Sequence, residues 1–149
     1  MKILSFCSIV LLLLSCAPKI NANNTARVGA EIKTGAEQTE KYLPLLKGKR
    51  VAILANQTSI IGKTHLVDSL QKLGINIVKV FGPEHGFRGN ASAGAKISDE
   101  VDQRTGIPII SLYGKKNKPS EEDLADVDIL IYDLQDVGVR FYTNINALS

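Results

Sequence analysis

Arg50-Val51-Ala52-Ile53-Leu54-Ala55 is an apolar run that breaks at once into the polar cluster Asn56-Gln57-Thr58-Ser59. A run without polar alternation suits a strand covered on both faces, as in a parallel sheet. Downstream, Leu66, Val67, Leu70 and Leu73 recur at helical spacing, and Gly74 stands where a helix stops. A second β-branched run follows, Ile75-Asn76-Ile77-Val78-Lys79-Val80. These pieces predict a β-α-β unit with a right-handed crossover. Gly106-Ile107-Pro108-Ile109-Ile110-Ser111-Leu112 predicts a third strand, its proline near the start where a missing donor is tolerable. Asp128-Ile129-Leu130-Ile131-Tyr132 predicts a fourth. The expected class is α/β: a Rossmann-like, mostly parallel sheet with flanking helices, broken off after its fourth strand. A helix over 36–46 is expected to be interrupted by Pro44 and closed by Gly48, and another to start at Pro119-Ser120-Glu121-Glu122-Asp123-Leu124. Between 90 and 106 the chain lacks periodicity and reads as a long loop with a short helix around Asp99 to Arg104.

The 149 residues allow one domain, and 22% charged with 44% apolar residues is a globular balance. The formal charge of +3 includes Lys2, and no basic patch with interleaved aromatics occurs, which argues against nucleic acid. Lys2, the apolar run Ile9 to Leu14 and the ending Leu13-Leu14-Ser15-Cys16 read as an export signal closed by a lipobox. Of the two cysteines Cys7 lies inside the signal, so Cys16 is the one expected to carry lipid, and neither a disulfide nor a catalytic thiol is expected. The expected layout is a signal peptide over 1–16, a tether over 17–34 and the N-terminal part of a Rossmann-like domain over 35–149. The expected location is the periplasmic side of a bacterial membrane, the outer membrane preferred.

Polar clusters follow every predicted strand: Asn56-Gln57-Thr58, then Glu84-His85-Arg88, then Tyr113, then Asp133-Gln135-Asp136-Arg140-Tyr142. In a parallel sheet these ends share one edge, so the clusters should line one cleft. The densest is Phe81-Gly82-Pro83-Glu84-His85-Gly86-Phe87-Arg88-Gly89, whose glycines and proline mark a turn. Glu84 reads either as a carboxylate pinned by Arg88 or as a general acid held beside Phe81 and Phe87. His85 reads as a partner of Glu84, a substrate donor or a packing residue. Asp133 and Asp136 read as paired carboxylates or as caps and turn ties. His65, at a helix start, is expected at the surface, and Lys115, Lys116 and Lys118 read as a solvated loop. Adjacent Glu-His is not a ligand spacing and Asn56 to Gly62 has no glycine-rich fingerprint, so neither metal nor cofactor is expected.

Taken together, Ala55-Asn56-Gln57-Thr58, Phe81 to Gly89, Leu112-Tyr113-Gly114 and Asp133-Leu134-Gln135-Asp136-Val137-Gly138-Val139-Arg140-Phe141-Tyr142-Thr143 resemble the exo-β-N-acetylmuramidase (NamZ) family of bacterial cell-wall recycling. The resemblance runs from about Leu46 to Leu148 and covers the family's N-terminal Rossmann-like domain. The family's smaller C-terminal domain has no counterpart, so a fragment of a longer protein is expected.

The resemblance implies release of non-reducing terminal N-acetylmuramic acid from MurNAc-GlcNAc fragments of peptidoglycan, with Glu84 the catalytic carboxyl and His85 beside it. The strand-end clusters are expected to supply the substrate contacts, from Asn56, Gln57, Arg88, Tyr113, Asp133, Gln135, Asp136, Arg140 and Tyr142. Arg88 or Arg140 is the cation for the lactyl carboxylate. The second catalytic group is Asp133, Asp136, a group outside this chain or the substrate's acetamido group. Thr143-Asn144-Ile145-Asn146 departs from the expected family pattern and is expected to stay clear of the site. The alternative is a non-catalytic lipoprotein that binds cell-wall sugar, or an inactive fragment of such an enzyme.

Overall fold

A computed structural model describes residues 32–89, 100–114, 116–135, 137–139 and 144–148. In chain order the elements are α1 (Thr39–Leu46), β1 (Val51–Ala55), the short strands β2 (Ile60–Ile61) and β3 (Thr64–His65), α2 (Leu66–Lys72), β4 (Ile77–Gly82), β5 (Glu100–Val101), β6 (Pro108–Ser111), α3 (Glu121–Leu124), β7 (Ile129–Asp133) and a 3-10 turn, Asn144–Leu148. The sheet runs β5-β6-β4-β1-β7; its four longer strands are parallel and β5 is antiparallel to β6. The four predicted strands thus form one parallel sheet, in the α/β class expected.

The run Val51–Ala55 explains the layering. All five residues are buried. Successive side chains of a strand point to opposite faces, so Val51, Ile53 and Ala55 pack with Leu66, Val67 and Leu70 of α2 and Leu46 of α1. Ala52 and Leu54 join Phe81, Leu112 and Leu134 on the other face, under Leu124 of α3. Burying a side chain such as Ile53 or Leu54 stabilises by about 1.5–3 kcal/mol. With α2 and α3 on opposite faces, the winding reverses between β1 and β7, which leaves the carboxyl ends of the strands open along one edge.

Local chemistry sets the element ends. His65 caps α2, its Nδ1 accepting from the Val67 N–H at 3.2 Å. Gly74, at φ +79°, ends the helix, and the Gly74 and Ile75 N–H groups return to Gln71 and Leu70 carbonyls. Ser120 and Asp123 form a reciprocal capping box on α3.

Two expectations are corrected. Pro44 lies within α1 and does not interrupt it; it forfeits one internal bond, and Tyr42 and Leu46 hold the turn against the sheet. The short helix expected around Asp99 to Arg104 is not formed in its described part. Glu100 and Val101 pair with β6, and Asp102 closes a turn by accepting from the Thr105 N–H and hydroxyl at 3.1 and 2.6 Å. A hairpin that the sequence reading did not assign also forms, Ile60-Ile61 against Thr64-His65.

Candidate functional site

A cleft of about 310 Å³ lies over the carboxyl edge of the sheet. Asn56 and Gln57 reach it from the end of β1, Pro83, Glu84 and His85 from β4, and Leu112, Tyr113, Gly114 and Asn117 from β6, while Asn144, Asn146 and Ala147 of the 3-10 turn close one side. Five residues singled out in the sequence therefore share one cleft: Asn56, Gln57, Glu84, His85 and Tyr113. Asn144 and Asn146 join them, which corrects the expectation that this departure stays clear of the site. Asn117 was not anticipated either.

The Glu84 turn is built by close approach. After Gly82 the chain doubles back so tightly that a Cβ there would lie 3.0 Å from the Phe87 nitrogen. The Gly86 N–H donates to the Pro83 carbonyl at 2.9 Å. His85 adopts φ +72°, a left-handed conformation that costs a non-glycine residue on the order of 1 kcal/mol or more and persists where surroundings impose it. The turn leaves Glu84 exposed and His85 half-buried. Gly89 seats Gln57: a Cβ at Gly89 would meet the Gln57 Cβ at 3.0 Å.

Tyr113 and Glu84 line the same cleft. The interaction with the Glu84 carboxyl, hydrogen bonding first and charge second, pushes the Tyr113 pKa up, so the phenol keeps its proton. Asn56 is buried, and its Oδ1 accepts from the Thr58 N–H and hydroxyl at 2.9 and 2.7 Å. What its side chain has left to offer a ligand is the donor end of the amide.

His65 is not the surface residue expected. With Nδ1 accepting at the α2 cap, Nε2 carries the proton and donates to the Asn56 carbonyl at 3.0 Å. Its ring meets Phe87 edge-on at 5.3 Å. Burial pushes the imidazole pKa below its ordinary value.

Arg88 is corrected more sharply, because it neither pins Glu84 nor lines the cleft. Its Nε and Nη2 donate to Asp102 at 2.8 and 2.6 Å, and its Nη2 and Nη1 to Asp68 at 2.7 and 3.2 Å. Both carboxylates are buried, and a buried charge requires an opposite charge. The guanidinium bonds hold the Asp68 carboxyl below its ordinary pKa and the Asp102 carboxyl at about 2. The guanidinium also lies 4.6 Å over the Phe87 ring. Neither aspartate was named as a partner from the sequence. The available signal for Asp68 was an acid set among Leu66, Val67 and Leu70, all on the packed part of α2.

Asp133 is also absent from the Glu84 cleft. It borders an apolar groove with Tyr42, Leu46 and Ile131, half-buried, and desolvation pushes its carboxyl pKa up. It is therefore not placed as a second carboxylate beside Glu84. Gln135 is exposed and does not line the cleft. Asp136, Arg140 and Tyr142, together with Cys16, the signal segment and the tether up to residue 31, lie outside the described residues. Among the described residues no group of three or more His, Cys, Asp or Glu is disposed to hold a metal ion.

Residues 51–149 match the family described as exo-beta-N-acetylmuramidase NamZ, N-terminal. The chain is 42% identical over 132 residues to the peptidoglycan beta-N-acetylmuramidase NamZ of Bacillus subtilis (strain 168), which covers 85% of this chain and 31% of that protein. Two crystal structures of DUF1343 family proteins from Bacteroides fragilis NCTC 9343 share its fold. One has a TM-score of 0.63 at 47% identity, covering 76% of this chain and 28% of that one. The other has a TM-score of 0.68 at 40% identity, covering 78% and 29%. The chain thus spans about a third of the length of its curated relative. With the motif residues Asn56, Glu84, His85 and Tyr113 gathered at one sheet edge and the family match running through all of them, the chain belongs to the exo-β-N-acetylmuramidase NamZ family, of whose N-terminal region it is a member.

Proposed function

We propose that this chain is the acid-bearing N-terminal part of a glycoside hydrolase that releases non-reducing terminal N-acetylmuramic acid from peptidoglycan fragments. The observation that carries the reading is Glu84, presented by a strained turn into a cleft walled by amide side chains and shared with the Tyr113 phenol. Glu84 protonates the leaving glycosidic oxygen, and Tyr113 then stabilises the carboxylate left behind. The amides of Asn56, Gln57, Asn117, Asn144 and Asn146 suit the hydroxyls and the acetamido group of the sugar. Of the described lining residues Glu84 alone bears a carboxyl. The second group is therefore assigned to Asp136, to a part of the protein beyond this chain or to the substrate's own acetamido oxygen. With Arg88 engaged elsewhere, Arg140 is the arginine proposed for the lactyl carboxylate.

The deciding experiment sets hydrolysis of a MurNAc-GlcNAc disaccharide beside a binding titration with the same sugar. Release of free MurNAc supports the enzyme; binding without release favours the sugar-binding alternative. Tyr113→Phe is expected to lower kcat about tenfold with KM little changed, because the lost hydrogen bond strengthens as charge develops on Glu84. A rise in KM alone would make Tyr113 a binding residue.

We also propose export and lipid anchoring through Cys16, supported by the order of Lys2, Ile9 to Leu14 and Ser15-Cys16. Cys16→Ser is expected to abolish incorporation of a labelled fatty acid and to release the protein from the membrane fraction. Retained label would refute the site.

A further inference from the structure

The Pro83–Gly89 turn is anchored by β4 at one end and at the other by Arg88, three positions beyond His85. The Arg88 side chain is 13% exposed, and those of Asp68 and Asp102 are 7% and 6%. Asp68 belongs to α2, and Asp102 to the turn before β6. One guanidinium thus ties the loop to two separate elements, and Thr105 fixes Asp102 from behind. Arg104 approaches Asp68 at 3.4 Å from the solvent side. His85 stands at positive φ, a conformation that persists where the surrounding structure imposes it.

We infer that Arg88 is the positioning residue of the candidate acid: through Asp68 and Asp102 it fixes the turn that presents Glu84 to Tyr113, and it does not bind the substrate. The proposal rests on the glycosidase reading only for its effect on turnover, since the rigidity of the turn is measurable without substrate. Lysine cannot substitute, because a point charge does not reproduce a planar fork shared between two carboxylates.

The test is amide hydrogen exchange on the full chain carrying Arg88→Lys, and separately Asp68→Asn, which leaves the Arg88–Asp102 pair in place. The reporters are the Gly86 and Gly89 amides, bonded to the Pro83 and Gly86 carbonyls, with the Ile53 and Leu54 amides of β1 as reference. The expected result is exchange at least about tenfold faster at Gly86 and Gly89 in both variants, with β1 unchanged. Unchanged turn amides overturn the proposal. Should Arg88→Lys lose protection in β1 as well, Asp68→Asn decides on the same criterion. Loss of β1 protection in both variants makes the cluster a general folding element and also overturns it. In turnover, Asp68→Asn is expected to lower kcat about tenfold with KM within about twofold. A raised KM at constant kcat would return Arg88 to substrate binding. A wild-type chain that hydrolyses nothing counts against the glycosidase reading alone, and the exchange result still decides the role of Arg88.

Discussion

Glu84→Gln is expected to lower hydrolysis of the MurNAc-GlcNAc disaccharide by about three orders of magnitude with the melting temperature unchanged. General acid catalysis by a positioned side chain contributes about 10²–10⁴-fold, and a glycosidic oxygen departs poorly without a proton. Glutamine keeps the volume, but it has no proton to transfer at this position. Glu84 is exposed and is not part of either core cluster, so the fold has little to lose. The leaving group separates an acid from a nucleophile. With an aryl glycoside whose phenolate leaves unassisted, the defect of an acid shrinks, whereas a lost nucleophile costs as much on both substrates. Wild-type turnover of the disaccharide by Glu84→Gln would remove Glu84 from the mechanism.

The sheet was legible because burial on both faces is written as an unbroken apolar run, and Val51 to Ala55 leaves no other comfortable reading. The gathering of Asn56, Glu84 and Tyr113 followed from topology alone, since parallel strands end on one edge. Which residues turn into the cleft was harder to read. Asp133 shares the parity of Ile129 and Ile131, which pack on the α1 and α2 side. Period-two alternation along β7 already carries its side chain to that face, so position in the strand mattered more than proximity to the strand end.

Arg88 failed for a different reason. A neighbouring Glu84 and distant aspartates are equal partners on paper, and the choice between them depends on a tertiary approach. Asp102 and Asp68 lie 14 and 20 residues away, and desolvation of their carboxylates outweighs nearness in sequence. His65 was hidden because a histidine at a helix start reads as solvent-facing. Its two nitrogens are instead divided between a helix cap and the Asn56 carbonyl.

Replacement of Arg88 by leucine carries the other large expectation, a loss of about 3–5 kcal/mol of stability at neutral pH, because it strands two buried carboxylates. Acid should reveal the cause. In the wild type the Arg88 bonds depress both carboxyls, Asp102 from 3.8 to about 2. The Asp102 contribution is therefore complete above the unfolded value of 3.8 and is lost as pH falls through about 2, and the Asp68 contribution is likewise lost on the acid side of its unfolded value. In Arg88→Leu the same groups are buried without their cation, which favours the neutral form and raises their folded pKa above the unfolded one. Such groups support folding below the unfolded pKa and oppose it as pH rises through the folded one. The two proteins should therefore differ most near pH 7 and converge toward pH 3, as read from urea midpoints across that range. Exposed Arg104, 3.4 Å from Asp68, offsets part of the penalty at that carboxylate, so most of the pH dependence should disappear in Arg88→Leu/Asp102→Asn. A difference constant between pH 4 and 7 would mean that leucine merely packs worse over Phe87, and the ion cluster would then not be what anchors the turn.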